Sequence, residues 1–187
     1  DDPIIGNIVI ELYPDDAPIT VDNFLMYVNS GFYNSLLFHR VMNDFMIQGG
    51  RYFYYNGGYY YYTPNAPIVN ESDNGLSNLR RTIAMGRTDD PDSATAQFFP
   101  NHVDTLSRGR VDDIDVGYCV FGKVFEGMDV VDAIALVPVI PNGLSEAFPY
   151  NPMVGMYSAT VLPCDSVECC DLSGNGKVDF ADMAIMA

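Results

Sequence analysis

The chain has 187 residues, and its 9 lysines and arginines are outnumbered by 25 aspartates and glutamates, for a formal net charge of −16. Such a surface repels phosphate backbones and anionic headgroups, which excludes binding to nucleic acids or membranes through a basic patch. Hydrophobic residues make up 48% of the chain, enough for a folded core, and no apolar run approaches the roughly 18 residues of a membrane span. We therefore expect a folded, soluble protein.

The N-terminal part predicts a strand, a helix and a pair of strands. Ile8, Ile10 and Leu12 occupy alternate positions of residues 6–13, which is typical of a half-buried strand. Apolar residues recur every three or four positions over 17–30, which predicts an amphipathic helix that ends at a glycine. Residues 36–48 are almost continuously apolar and predict two buried strands joined by a turn.

Residues 51–62 have a low-complexity sequence that contains seven of the thirteen tyrosines. The run has no regular period, so we interpret it as a long surface loop stiffened by ring packing. The alternative is an exposed aromatic patch that binds a partner or neighbouring copies.

The rest of the main body predicts further short strands and one more helix. We expect strands over 82–85, 97–101, 118–124 and 157–162, and a helix over 127–135 that buries Met128, Val131, Ile134 and Ala135. Many short strands and only two helices indicate an antiparallel barrel or sandwich on which the helices pack.

Three motifs carry the candidate chemistry, namely Phe38-His39-Arg40-Val41, Phe45-Met46-Ile47-Gln48-Gly49-Gly50 and Gln97-Phe98-Phe99. An arginine in an apolar strand is costly unless it reaches a pocket or a polar partner, such as a buried carboxylate. With further pieces in the same order over about residues 5–162, these motifs resemble the cyclophilin family of peptidyl-prolyl cis–trans isomerases. The resemblance implies a mainly β fold, a closed eight-stranded antiparallel barrel capped by two α-helices, with a proline-binding groove outside it.

The resemblance also implies roles for individual residues. Arg40 would act on the twisting X–Pro bond, and Gln48 and Gln97 would position the substrate and Arg40. The substrate-binding residues would be Phe45, Met46, Phe99 and Leu106 in the proline slot, Gly86 and Arg87 beside it, and Tyr118. Catalysis would need no cofactor, and the partners would be proline-containing polypeptides. The alternative function is a catalytically idle structural or adhesive subunit with the same fold.

Some positions depart from the family pattern. Arg51 stands where an acid is common, Arg81 where glycine is usual, and Thr105 where a large aromatic residue precedes the pocket leucine. We expect His39, on the opposite strand face from Arg40, to be structural. We expect His102 to lie on a solvated loop.

Residues 171–182 match the spacing of an EF-hand calcium loop, with a glycine at the sixth position. The expected Ca²⁺ ligands are Asp171, Ser173, Asn175, Lys177 through its carbonyl, Asp179 and Asp182. Aspartate at the last position resembles the dockerin variant, in which one helix follows the loop, here over 180–187. We therefore expect a weak calcium site and a cohesin-like or other assembly partner. The alternative is a turn that binds no metal.

These patterns divide the chain into an isomerase domain, residues 1–163, and a cysteine-containing linker with a partial calcium loop and helix, residues 164–187. Cys164, Cys169 and Cys170 lie within seven positions, and a disulfide among them would persist mainly outside the reducing cytosol. We therefore expect a secreted, periplasmic or cell-surface protein. The start at Asp1 is interpreted as a processed or trimmed form.

Overall fold

The structure is a computed structural model that describes residues 6–105, 117–141, 147–149, 153–162 and 183–186. Its elements are, in chain order, β1 (Ile8–Leu12), α1 (Pro18–Asn29), β2 (Arg40–Met42), β3 (Met46–Gln48), β4 (Tyr52–Tyr55), β5 (Gly58–Tyr61), β6 (Thr82–Met85), β7 (Phe98–Pro100), β8 (Val120–Glu126), α2 (Met128–Ala135), β9 (Val139–Pro141), β10 (Ala147–Pro149), β11 (Ala159–Val161) and β12 (Met183–Met186). The helices predicted over 17–30 and 127–135 are confirmed to within about two residues at each end, and so are the predicted strands, except that the pair predicted over 36–48 begins only at Arg40. Within the described ranges, neither helix has the length and hydropathy of a membrane span.

Six strands form the main sheet, in the order β11-β12-β1-β8-β6-β7, and all of its pairs are antiparallel. The pairs β2–β3, β4–β5 and β9–β10 form separate two-stranded ladders. Strand β3 reaches the edge strand β7 through two single bridges, Met46 with Asn101 and Gly49 with Phe98. The β2–β3 hairpin is therefore attached to the open edge of the main sheet.

The main sheet is open, in contrast to the closed eight-stranded barrel that the resemblance implied. The bridges between β3 and β7 end at Gly49, and at the next residue, Gly50, the backbone enters the left-handed region with φ +86°. A Cβ atom at this position would lie 2.3 Å from the carbonyl oxygen of Ala96, so only glycine allows the close approach. The mainly β architecture with two helices is confirmed, whereas the described strands do not close.

The core lies where the helices pack on the sheet. The ring of Phe24 in α1 contacts Phe98 of β7 and Phe121 of β8, with centroids 5.4 and 5.1 Å apart. All three side chains are fully buried. Helix α2 buries the four residues predicted from its sequence, Met128, Val131, Ile134 and Ala135.

Helix α1 begins without a local side-chain cap, and a distant residue supplies the missing acceptor. The Glu71 carboxylate accepts hydrogen bonds from the backbone N–H groups of Ile19 and Thr20, at 3.1 and 2.8 Å, and from the Thr20 hydroxyl at 2.7 Å. A carboxylate here satisfies unpaired donors and interacts favourably with the helix dipole. The contact fixes the segment after β5 against α1.

Residues 52–61 form a hairpin, so the predicted surface loop is wrong at this point. Asn56 and Gly57 have φ values of +47° and +85°, as a two-residue type I′ turn requires. The turn sets Tyr52 opposite Tyr61 in the β4–β5 ladder. Six tyrosines between residues 54 and 62 are at least 43% exposed. The hairpin therefore has an exposed aromatic surface, as in the alternative interpretation of this run.

The C-terminal segment contains a strand, so the helix predicted over 180–187 is wrong for residues 183–186. Strand β12 lies between β1 and β11, where Met186 is opposite both Ile8 and Ala159. Pairing on both sides satisfies the backbone donors and acceptors, which a short isolated helix does poorly in water. Tail residues 163–182, which include the calcium loop and the three clustered cysteines, lie outside the described residues.

Candidate active site

Two predicted catalytic side chains stand opposite each other on the β2–β3 hairpin. Arg40 pairs with Gln48 in the strand register, so both side chains leave the same face of the hairpin. The next pair, Val41 and Ile47, is buried on the other face. Arg40 Nη1 donates a hydrogen bond to Gln48 Oε1 over 3.4 Å. The hairpin thus presents a guanidinium group beside a glutamine that orients it.

Gln97, just before β7, extends this arrangement. Gln48 Nε2 donates to Gln97 Oε1 at 3.0 Å, and the Gln97 backbone carbonyl accepts from the Gly86 N–H at 2.7 Å. Because Gln48 uses its oxygen toward Arg40 and its nitrogen toward Gln97, the orientation of both amides is determined. We call Arg40, Gln48 and Gln97 the polar row; all three are half-buried.

His39 is buried next to the polar row, with 1% of its surface exposed, which agrees with the predicted structural role. Burial lowers the pKa of His39 from 6.5 to about 4, although hydrogen bonds with the Leu37 backbone and the Gln97 side chain act in the opposite direction. The imidazole is therefore neutral at physiological pH. Because it is neutral, the His39 ring adds no second positive charge beside Arg40.

Apolar side chains form a second part of the site. We call this group the apolar cluster, and its members are Met46, Ala84, Phe99 and Val120, which are buried, and Met42, Phe45, Leu76 and Tyr118, which are partly buried. The Arg40 Cζ atom lies 5.9 Å from the ring centroid of Phe45. Tyr118 packs edge-on against Phe99, with centroids 5.5 Å apart. The structure thus brings the predicted residues Phe45, Met46, Phe99 and Tyr118 together; sequence reasoning missed Leu76, which lies outside the quoted motifs.

A pocket of about 460 Å³ borders the polar row. Its lining includes the predicted residues Arg40, Gln48, Gln97, Gly86 and Arg87 but no member of the apolar cluster. Sequence reasoning missed the rest of the wall, most of which comes from the tyrosine hairpin with its flanking residues Arg51 and Tyr62, and from the segment between β6 and β7. The Asn56-Gly57 turn signal could have found the hairpin.

The chain matches the family model described as cyclophilin type peptidyl-prolyl cis-trans isomerase/CLD over residues 2–159. It is 50% identical over 151 residues to a peptidyl-prolyl cis-trans isomerase of Acinetobacter baylyi, a match that covers 80% of this chain and 77% of the relative. It is 47% identical over 151 residues to peptidyl-prolyl cis-trans isomerase B of Escherichia coli, with 80% and 90% covered. The chain belongs to the cyclophilin family.

Solved structures agree at the level of the fold. A cyclophilin-type isomerase of Cryptosporidium parvum, determined in the presence of the dipeptide Ala-Pro, matches with a TM-score of 0.57 and 21% identity, over 81% of this chain and 95% of that chain. The family and the sequence relatives make this chain a peptidyl-prolyl cis–trans isomerase, which disfavours the idle structural subunit.

Arg81 occupies the position where cyclophilins commonly have glycine, and its backbone explains that preference. Its φ is +80°, in the left-handed region that side chains disfavour. The guanidinium donates hydrogen bonds to the carbonyl oxygens of Val124 and Phe125, at 3.2 and 2.8 Å. These bonds connect the start of β6 to β8 and offset part of the backbone strain.

Thr105 occupies the position where the family pattern has a large aromatic residue before the pocket leucine. It is fully buried, and its hydroxyl donates to the Asn78 carbonyl oxygen at 2.7 Å. Its role is thus to hold the segment after β7 against the core. Leu106, the next residue and a predicted pocket residue, lies outside the described residues.

His102 is not a solvated loop residue, so that prediction is wrong. Its side chain is only 12% exposed, and Nε2 lies 3.2 Å from Oδ1 of Asp132 in α2. Arg80 pairs with the same carboxylate at 2.8 Å, and this hydrogen bond lowers the pKa of Asp132. His102 therefore helps to connect α2 to the segment after β7.

The described residues contain no group of three histidine, cysteine, aspartate or glutamate side chains that could hold a metal ion. All six predicted calcium ligands belong to the part of the tail outside these residues.

The lowered pKa of His39 predicts a loss of stability in mild acid. The unfolded state, with an ordinary histidine pKa, takes up the proton near pH 6.5, whereas the folded state does so only near pH 4. Stability is therefore complete above pH 6.5 and is lost as the pH falls toward 4. We expect His39 to remove about 2 kcal/mol from the free energy of unfolding between pH 7 and pH 5.

Urea unfolding of the wild type and of His39→Gln at pH 7 and pH 5 measures this effect. The variant is expected to have a flatter pH dependence, whatever its stability at pH 7. Other titrating groups contribute equally to both proteins and cancel in the comparison. An identical pH dependence in the two proteins would contradict the argument.

Proposed function

We propose that Arg40 is the catalytic residue of this isomerase. Rotation about an X–Pro bond breaks amide resonance, with a barrier of about 18–20 kcal/mol. As the bond twists, the prolyl nitrogen becomes pyramidal and gains a lone pair that can accept a hydrogen bond. A guanidinium fixed beside that nitrogen binds the twisted state better than the planar state, and this difference lowers the barrier. The step needs no proton transfer, covalent intermediate or cofactor.

Gln48 and Gln97 would act by positioning. The 3.4 Å hydrogen bond from Arg40 to Gln48 and the 3.0 Å bond from Gln48 to Gln97 link the guanidinium to the start of β7. This chain limits the rotation of a long side chain, so less entropy is lost when substrate binds. Their amide groups would also receive the substrate carbonyls.

The apolar cluster would bind the proline ring. Phe45, Met46, Phe99 and Tyr118 lie together beside Arg40, so a ring seated there would place its nitrogen near the guanidinium. Backbone groups of Gly86 and Arg87 would hold the residue before the proline. Leu106 is included in this slot on the basis of the family resemblance alone. The observation that carries the proposal is the position of Arg40 between the pocket and the cluster.

Substitution of Arg40 tests this mechanism. We expect Arg40→Ala to lower kcat/KM for a proline peptide about 100-fold or more, the usual cost of one donor to a developing charge. Arg40→Lys should retain part of the rate, because it keeps the charge but loses the planar guanidinium.

The measurement is cis–trans exchange by NMR, which needs no coupled protease. Arg80→Ala, which removes a guanidinium paired with Asp132 outside the site, is the matched control and should keep its rate. A normal rate in folded Arg40→Ala would contradict the mechanism.

We also propose that residues 171–182 bind a calcium ion, on the strength of the ligand spacing in the sequence. Asp182, the last ligand, would directly precede β12 rather than the helix of a dockerin. A cohesin-like partner, a location outside the reducing cytosol and a boundary after residue 163 between the isomerase domain and the calcium segment are proposed on the same sequence features of the tail. Strand β12, which follows that segment, pairs with the main sheet.

Calorimetric titration of the full chain with calcium tests this site. We expect binding in the range of about 0.1–1 mM, as for weak extracellular sites, and loss of the heat in Asp171→Ala/Asp179→Ala. Absence of heat from the wild type at millimolar calcium would remove the proposal.

A further inference from the structure

Positive charge is concentrated at the pocket. The described residues include six lysines and arginines, and three of them, Arg40, Arg51 and Arg87, line this one cavity. No aspartate or glutamate is among its described lining residues. In a chain with a net charge of −16, this arrangement makes the pocket an electropositive concavity in an acidic surface. Such a concavity attracts anionic groups.

The three arginines differ in what they contact. Arg40 donates to Gln48, and Arg87 donates to the carbonyl oxygens of Gly117 and Thr88, at 3.2 and 2.7 Å. Arg51 instead lies over two aromatic rings, with Cζ 5.0 Å from the centroid of Tyr52 and 5.8 Å from that of Tyr61. Among the described residues, the ion pairs involve Arg80, His102 and Lys123 and not Arg51.

The hairpin that follows Arg51 positions the rings of Tyr52 and Tyr61. The Asn56-Gly57 turn sets Tyr52 opposite Tyr61, and Tyr52 packs edge-on against the buried His39 ring at 5.1 Å. Aromatic faces attract a guanidinium through its charge and plane, whereas its N–H groups point outward in that plane. These ring contacts attract Arg51 without using the N–H donors that can bind a carboxylate in bidentate fashion.

The pocket lies on the path of a bound client chain. With the proline in the apolar cluster, the preceding residue would lie at Gly86 and Arg87, which also line the pocket. The residues before it would then enter a space of about 460 Å³, enough for one or two side chains. Arg51, Tyr61 and Tyr62 form the wall that these residues would meet.

We propose that Arg51 is a specificity residue that binds an aspartate or glutamate of the client within three residues before the isomerised proline. The proposal rests on the placement of the proline ring described above. Arg51 is exposed at the pocket and can therefore be reached by a client carboxylate. The acidic surface elsewhere repels such clients, so Arg51 and its neighbours supply the local attraction that guides an acidic segment to the site.

Pentapeptides with aspartate, asparagine or lysine at each of the three positions before proline test this preference. We expect kcat/KM, measured by NMR exchange at low salt, to be about two- to five-fold higher for aspartate than for asparagine at one position, as for a partly exposed ion pair. Arg51→Gln should remove the difference, and Arg51→Glu should reverse it in favour of lysine. Arg80→Gln loses the same charge outside the pocket and should keep the wild-type preference.

Equal rates for aspartate and asparagine at all three positions in the wild type would overturn the proposal, as would a preference that persists in Arg51→Gln. If Arg51→Gln does not fold, the Nε–Hε resonance of Arg51 in the wild type is measured instead. This signal should shift when the aspartate peptide is added and not when the asparagine peptide is added. Equal shifts with the two peptides would overturn the proposal. A failed proposed function has a different signature, because Arg40→Ala would then retain its rate on every peptide. If only the aspartate preference is absent and Arg40→Ala still lowers the rate, the proposal for Arg51 fails and the proposed function stands.

Discussion

The pairing of Arg40 with Gln48 across β2 and β3 is the constraint on which the rest of the site depends. Side chains alternate along a strand, so a slip of one residue would turn Arg40 toward the core and Val41 toward solvent. The burial of Val41 and Ile47, at 1% and 0% exposure, opposes that slip. The hydrophobic effect thus holds a charged group at the surface by burying its neighbours. Catalytic geometry and core packing are specified by the same short hairpin.

The electrostatic surroundings of Arg40 follow from this register. His39, the preceding residue, points to the buried side, where its low pKa keeps it neutral. Gln48 and Gln97 supply hydrogen-bond partners without negative charge. The polar row thus orients the guanidinium through neutral amide groups.

Elements with a clear apolar period were predictable from the sequence, as α1, α2 and the β2–β3 pair demonstrate. The family resemblance located the polar row and half of the apolar cluster. What failed depends on contacts between distant residues. Strand β12 is stabilised by pairing with β1, near the other end of the chain. Thr105 is held in a buried position by its hydrogen bond to Asn78. The β4–β5 hairpin lacked apolar alternation, and only its Asn-Gly turn carried a local signal. The contacts of Arg51 with the tyrosine rings depend on that hairpin, so they were not predicted either.

The central claim is that the glutamines of the polar row act through Arg40. A double-mutant cycle of Arg40→Lys and Gln48→Leu, with kcat/KM from NMR exchange, tests it most directly. We predict that Gln48→Leu slows the wild type about ten-fold but has little further effect once Arg40 is lysine, a coupling of about 1 kcal/mol or more. Additive losses in the double variant would mean that Gln48 does not orient Arg40, and would contradict the account.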